Sequence, residues 1–189
     1  QGAILEDGQG VSNVASAQDV IRRIRQARFN EDIKAIVLRV NSPGGSALVS
    51  DLIWHAIEKA KAVKPVVVSM GDVAASGGYY IAAGANKIFA SPATITGSIG
   101  VFGVLPNMSQ LAKEWGVNAQ EVATHDNGAT YSVFRPMSEK FRALTVQSIE
   151  DTYQTFLSRV SSGRGMTVDQ VDALAQGRVW TAEAALAGE

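Results

Sequence analysis

Two β-branched runs, Ile33 to Val40 (IKAIVLRV) and Val66 to Met70 (VVVSM), stand on either side of a helical stripe, and that spacing admits few folds. The stripe runs from Ala47 to about Val63, with Leu48, Leu52, Ile53, Ala56, Ile57 and Ala60 recurring at helical intervals. Lys64 and Pro65 then stop it, because proline removes a donor and cannot continue a helix. A strand, helix, strand unit of this length joins two parallel strands. The pattern predicts an α/β fold with a mostly parallel core sheet flanked by helices.

The remaining elements follow the same alternation. Gly8 to Ala15 reads as a polar loop, and Ser16 as the cap of a helix carrying Val20, Ile21, Ile24 and Ala27 on one face and Arg22, Arg23, Arg25 and Arg28 on a solvated one. After Met70 a small-residue turn, Asp72 to Tyr80 (DVAASGGYY), leads into a short buried helix from Tyr79 to Ala85. Lys87 to Ala90 is a short strand, and Thr94 to Gly103 (TITGSIGVFG) an apolar strand interrupted by Gly97, Gly100 and Gly103. Met108 to Trp115 is a helix, Val117 to Ala123 a strand and His125 to Pro136 a loop. A long amphipathic helix from Ser138 to about Ser161, a shorter one from Thr167 to Ala175, a strand at Val179 and Trp180, and an unfinished helix complete the chain.

A length of 189 residues suits one domain spanning 1–189. Seventeen basic against 18 acidic residues leave a net charge of −1, which gives no field to attract nucleic acid or an anionic membrane. With no cysteine, neither a disulfide nor a thiolate metal site is possible, and two histidines, His55 and His125, argue against a metal centre. No metal or nucleotide motif is present, so no cofactor is expected. No apolar run approaches a membrane span, and the N-terminus lacks the pattern of a signal peptide. The chain is expected to be soluble as it stands, and both ends read as cuts in a longer protein.

Ligands of parallel α/β sheets bind outside the carboxyl ends of the strands, and two glycine-rich turns fall at such ends: Ser42 to Gly45 (SPGG) and Ala75 to Gly78 (ASGG). If their strands are neighbours, backbone N–H groups of Gly44 or Gly45 and of Gly77 converge beside the Ser76 hydroxyl. Two such donors make an oxyanion hole, each contributing on the order of 3 kcal/mol to acyl transfer. The plainer reading of Ser76 is a helix cap. Gly97, Gly100 and the apolar Val101 and Phe102 suit an edge strand with pockets for an extended peptide; plain tight packing is the alternative.

VLRVNSPGGS, VVVSMGDVAASGGYYIAAGANKIFASPATITGSIGVFG, SSGRGM and GRVWT together resemble the signal peptide peptidase A (protease IV) family of serine peptidases, within the ClpP/crotonase superfamily. The resemblance runs from about Ser16 to Ala187. It implies a ClpP/crotonase-like fold, Ser76 as nucleophile, an oxyanion hole from Gly44, Gly45 and Gly77, a lysine general base, and Ser98 orienting that lysine. It also implies cleaved signal peptides and other unfolded apolar segments as substrates, assembly into rings or bowls, and a parent protein anchored at the inner membrane and facing the periplasm.

A lysine base must be neutral, and so buried among apolar groups, to accept the serine proton. Where single-domain members of the family carry it, this chain reads DNGAT, with Gly128 at about that place. Lys34, Lys59, Lys61, Lys64, Lys87, Lys113 and Lys140 all stand in polar or helix-face contexts, Lys140 being nearest in sequence. Long Gram-negative members hold two copies of the fold, the serine in the C-terminal copy and the lysine in the N-terminal one. This chain resembles the C-terminal copy, which implies an upstream homologous domain as partner and little activity alone. Competing readings are a triad using His125 and Asp126, a crotonase-like acyl-CoA enzyme, and a non-catalytic ring-forming or peptide-binding protein.

Overall fold

The computed structural model describes residues 1–5, 14–120, 122, 124 and 131–188. In chain order the elements are β1 (Ala3–Leu5), β2 (Val14–Ser16), α1 (Ala17–Phe29), β3 (Ile36–Ser42), α2 (Ala47–Lys61), β4 (Val66–Ala75), α3 (Gly77–Ala83), β5 (Lys87–Phe89), β6 (Ile95–Gly97), α4 (Ser109–Glu114), α5 (Glu139–Arg164), α6 (Val168–Leu174), β7 (Val179–Thr181) and α7 (Ala182–Ala187). The chain groups into two compact units, one of Gln1–Gly100 with Tyr153–Glu189 and one of Val101–Thr152.

The first unit holds a five-stranded sheet in the order β3-β4-β6-β7, with β5 also on β4. Every pairing in it is parallel except β6 with β7, and a separate parallel pair joins β1 to β2. The α/β architecture with a mostly parallel sheet is therefore as the alternating pattern predicts.

Boundaries differ where tertiary pairing overrides local preference. β4 continues to Ala75 instead of ending near Met70, because it has two successive partners: β5 along Val67–Ser69 and β6 along Val73–Ala75. Asp, Gly and Ala are weak strand formers, so nothing in Gly71 to Ala75 announces a strand without those partners. The strand expected over Thr94 to Gly103 is confined to Ile95–Gly97. In the second unit, residues 117–120 and 122 are irregular where a strand was expected. Ser16 does precede α1, but its side chain makes no capping bond.

Two apolar clusters build the first unit. Ile24, Val49, Ile53, Ile57, Val66, Val68 and Ile81 form one, between α1, α2, α3 and the sheet. Tyr80, Ile99, Phe156, Leu157, Val160 and Val171 form the other, against α5 and α6. Each large side chain so buried contributes about 1.5–3 kcal/mol. The short helix α3 supplies Ile81 to the first and Tyr80 to the second, so it is gripped from both sides. α5 meets its far end at Gly163, where a Cβ would stand 2.2 Å from the Ala83 carbonyl oxygen, and Arg164 Nε donates to that oxygen at 3.0 Å. The SSGRGM motif is thus a packing and capping device at a helix C-terminus.

A polar cluster completes the grip on α3. The Tyr80 hydroxyl donates to Asp51 Oδ1 at 2.6 Å, Arg159 Nε donates to the same oxygen at 3.2 Å, and the Arg159 guanidinium lies 3.9 Å from the centre of the Trp54 ring. Burial, and then the hydrogen bond to Asp51, push the Tyr80 phenol well above its ordinary value near 10. A raised pKa gives stability that is complete below about pH 10 and drains as pH rises past it, since the unfolded chain releases the proton first. The urea midpoint of the native chain should accordingly fall more steeply above about pH 10 than that of Tyr80→Phe; equal slopes for the two would contradict this.

Candidate active site

Because β3 and β4 are parallel neighbours, the turns that follow them leave the sheet at the same edge. Their closeness is visible in what the glycines exclude. A Cβ on Gly44 would lie 2.8 Å from Ser76 Cβ and 2.6 Å from Gly77 N, and one on Gly77 would lie 2.5 Å from Ser50 Oγ and 3.2 Å from Gly45 N. One on Gly78 would meet the Ser42 carbonyl oxygen at 2.6 Å. The two turns therefore share one crevice, and its glycines are fixed by backbone-to-backbone contact.

Ser76 sits at the junction of β4 and α3 with φ 51 and ψ −122, a strained conformation for a residue with a side chain. Strain of this sort costs on the order of 1–3 kcal/mol and is retained only where the surroundings impose it. Here β6 imposes it from one side, the Ser76 amide donating to the Gly97 carbonyl at 2.9 Å, and the anchored helix α3 from the other. The hydroxyl makes no capping bond to α3, which removes the plainer explanation of a serine at this position. It is half-buried at the strand end.

The backbone donors of the crevice are not equivalent. Gly44 N–H donates to Ser42 Oγ at 3.1 Å. Gly45 belongs to a parallel bridge with Ile4 of β1, in which Ile4 N–H donates to the Gly44 carbonyl and Ser46 N–H to the Ile4 carbonyl, both at 2.9 Å. A residue in the middle of such a bridge turns its own N–H away from the bridging strand. Gly77 is close by, a Cβ on it standing 3.2 Å from Gly45 N. Among the described residues the N–H groups of Gly45 and Gly77 donate to nothing, so these two are available to an anion where Gly44 is not.

Ser98 follows β6 as Ser76 follows β4, and Ala75 is paired with Gly97, so the two serines come directly after paired residues at adjacent strand ends. Ser98 also has positive φ, 50, and its amide donates to the Arg178 carbonyl at 2.7 Å. Arg178 in turn donates to the Ala173 carbonyl in the last turn of α6 and to that of Ala175 just beyond it. GRVWT is thereby the clamp that holds Ser98.

The edge-strand reading of the glycine repeat is corrected. β6, which ends at Gly97, lies between β4 and β7, so within it no edge is open to a peptide. A Cβ on Gly97 would stand 2.7 Å from Trp180 Cδ1, and one on Gly100 2.9 Å from Gly177 Cα: both glycines answer to packing within the chain. Val101, half-buried, and Phe102, 88% exposed, belong to the second unit.

Lys34, Lys59, Lys87, Lys113 and Lys140 are exposed. Lys61 is bound to the Gly84 carbonyl at 2.7 Å, and Lys64 to the carbonyls of Ala27 and Asn30. Gly128, His125 and Asp126 lie outside the described residues, while His55 is on the surface as expected. Sequence reasoning missed Ser42, Ser50 and Ile4, which lock the glycine turns. The only signal for Ile4 was an isolated apolar pair with Leu5.

A strained serine flanked by two free amides at the end of a parallel strand defines a site suited to nucleophilic acyl transfer on a ClpP-like α/β fold. A mutant ClpP1 from Listeria monocytogenes matches over 99% of this chain and 84% of its own with a TM-score of 0.62; at 14% identity, the likeness establishes the fold. Residues 58–189 match the model of peptidase family S49, and the chain belongs to that family. It is 44% identical over 187 residues to Protease 4 of Salmonella typhi, covering 98% of this chain, and 37% identical over 190 residues to the chloroplastic serine protease SPPA of Arabidopsis thaliana, covering 95%. It spans 30% and 28% of the lengths of those proteins.

Gly44→Ala forces a side chain to φ 103 and against Gly77 N, and should lower unfolding stability by at least about 1–3 kcal/mol. Gly103→Ala, with no atom within 4 Å, serves as the control and should stay within about 0.5 kcal/mol. Equal urea midpoints for the two would contradict the crowding described.

Proposed function

We propose that this chain is the nucleophile-bearing domain of a serine peptidase of the Ser-Lys dyad type. The observation that carries the reading is Ser76, strained at φ 51 beside the free N–H groups of Gly45 and Gly77. Ser76 Oγ attacks the scissile carbonyl carbon and gives its proton to the neutral lysine. The carbonyl oxygen, now an anion, accepts from Gly45 and Gly77 N–H. The tetrahedral intermediate collapses, the C–N bond breaks, and the lysine returns the proton to the leaving amine. Water, deprotonated by the same base, then hydrolyses the acyl-serine and restores Ser76.

Ser98 stands one strand over from Ser76, a place from which its hydroxyl can hold the lysine ammonium. The lysine itself comes from another domain or chain, an upstream homologous copy. Support for this is that the lysines among the described residues are exposed or bound to carbonyls, and that the relatives are more than three times as long as the stretch they share with this chain. The substrates are cleaved signal peptides and other unfolded apolar segments, bound extended. Assembly is a homo-oligomeric ring or bowl, with the parent protein anchored at the inner membrane and its site facing the periplasm. Among the described residues no helix is long and apolar enough to cross a membrane, so on this reading the anchor is elsewhere in the parent.

The test is cleavage of an apolar reporter peptide by three preparations: this chain alone, this chain with the lysine-bearing half, and that mixture carrying Ser76→Ala. Activity should appear only in the second, and Ser76→Ala should reduce it by about a thousand-fold or more. Serine-dependent cleavage by the chain alone would overturn the shared dyad, and cleavage that survives Ser76→Ala would overturn the nucleophile.

A further inference from the structure

The alignment of the two glycine turns depends on an irregularity in the sheet. From Ile36 to Val40, β3 pairs residue for residue with Val66 to Met70 of β4; beyond it, Ser42 pairs with Ala74. Four residues of β4 thus span the same distance as two of β3, a bulge with two extra residues. This shift brings Gly44 opposite Ser76. With unbroken register Gly44 would face Ala74, and the free amide of Gly45 would fall short of Gly77.

The side chain of Asn41 fills the bulge. Val73 N–H, displaced from its ladder position, donates to Asn41 Oδ1 at 3.2 Å, and Asn41 Nδ2 reaches Asp72 Oδ2 at 3.4 Å. Gly71 makes room: a Cβ there would stand 2.7 Å from both Asn41 Cβ and Cγ. Thr94 Oγ1 secures the Gly71 carbonyl from the other side at 2.8 Å, at the point where β4 changes partner from β5 to β6. An asparagine suits this gap, since its amide offers an acceptor to the stranded N–H and a donor to the neighbouring carboxylate.

We infer that Asn41 is a positioning residue: its amide fixes the β3–β4 bulge and thereby the register of the Gly44–Gly45 turn against Ser76 and Gly77. This rests on the reading of Ser76 and the two amides given above. Asn41 touches none of the reacting atoms; it decides how far β4 advances before Ser76 is presented. Misplacement of about 1 Å between donors and nucleophile is enough to slow the chemical step roughly 100-fold.

The test uses this chain combined with the lysine-bearing half, its reactive serines counted by a fluorophosphonate. Asn41→Ala should lower kcat per reactive serine about 10- to 100-fold while KM stays within about twofold, because binding away from the turn is untouched. Asn41→Asp keeps the acceptor for Val73 but sets a carboxylate against Asp72, so it too should be slow, and adding Asp72→Asn should restore it to near the native rate. Asp72→Asn alone should be close to native. Rates per reactive serine within twofold of native for Asn41→Ala, or no rescue of Asn41→Asp by Asp72→Asn, would overturn the inference. If Ser76 proves unreactive in the native protein, the nucleophile reading fails separately. The amide resonances of Gly45 and Gly77 then decide: Asn41→Ala shifts them if the bulge sets the register, and leaves them in place if it does not.

Discussion

The parallel pairing of β3 with β4 is the constraint on which the rest of the site depends. Neighbouring parallel strands end on the same side, so the two turns that follow must meet there, and neither can accept a side chain at its contact glycines. The crossover helix α2 makes that pairing possible and also anchors what it delivers. Ser46 at its start caps it, Ser50 underlies Gly77, and Asp51 holds Tyr80 of α3. Sheet, helix and site are thus one connected object, in which the strain at Ser76 is imposed from several directions.

On the proposed reading, that rigidity serves the chemistry. An oxyanion hole is effective only if its donors are already aimed before charge develops, so that no reorganisation is needed at the moment of reaction. β1 contributes here by bridging Gly45: it occupies one side of the turn and leaves the amide facing the other. The same economy governs Ser98, held through the Arg178 carbonyl by a residue whose guanidinium binds the end of α6. GRVWT and SSGRGM, motifs with no apparent chemistry, support the residues to which the proposal assigns it.

The glycines show where local reasoning holds and where it does not. Those of SPGG and ASGG were expected to share one crevice if their strands are neighbours, and the two turns do lie against each other. Those at Gly97 and Gly100 carry the same signal in sequence, yet what approaches them is Trp180 and the Gly177 turn of the same chain. A glycine in a strand reports that space is short without reporting who takes it. Only the order of strands, with β7 added antiparallel to β6, answers that.

By itself the sequence determined the α/β class, the crossover unit and the serine to examine, because hydrophobic period, proline and glycine act over a few residues and leave their mark on the local string. It left Gly44 and Gly45 as equal candidates for the anion, ended β4 five residues early, and made Asn41 one more polar residue before a turn. The tertiary structure decided all three. Whether an amide is free depends on Ser42 and Ile4, where a strand ends depends on β5 and β6, and what Asn41 does depends on a register shift between β3 and β4. Each is a property of pairs of segments distant along the chain, and no periodicity in one segment can specify its partner.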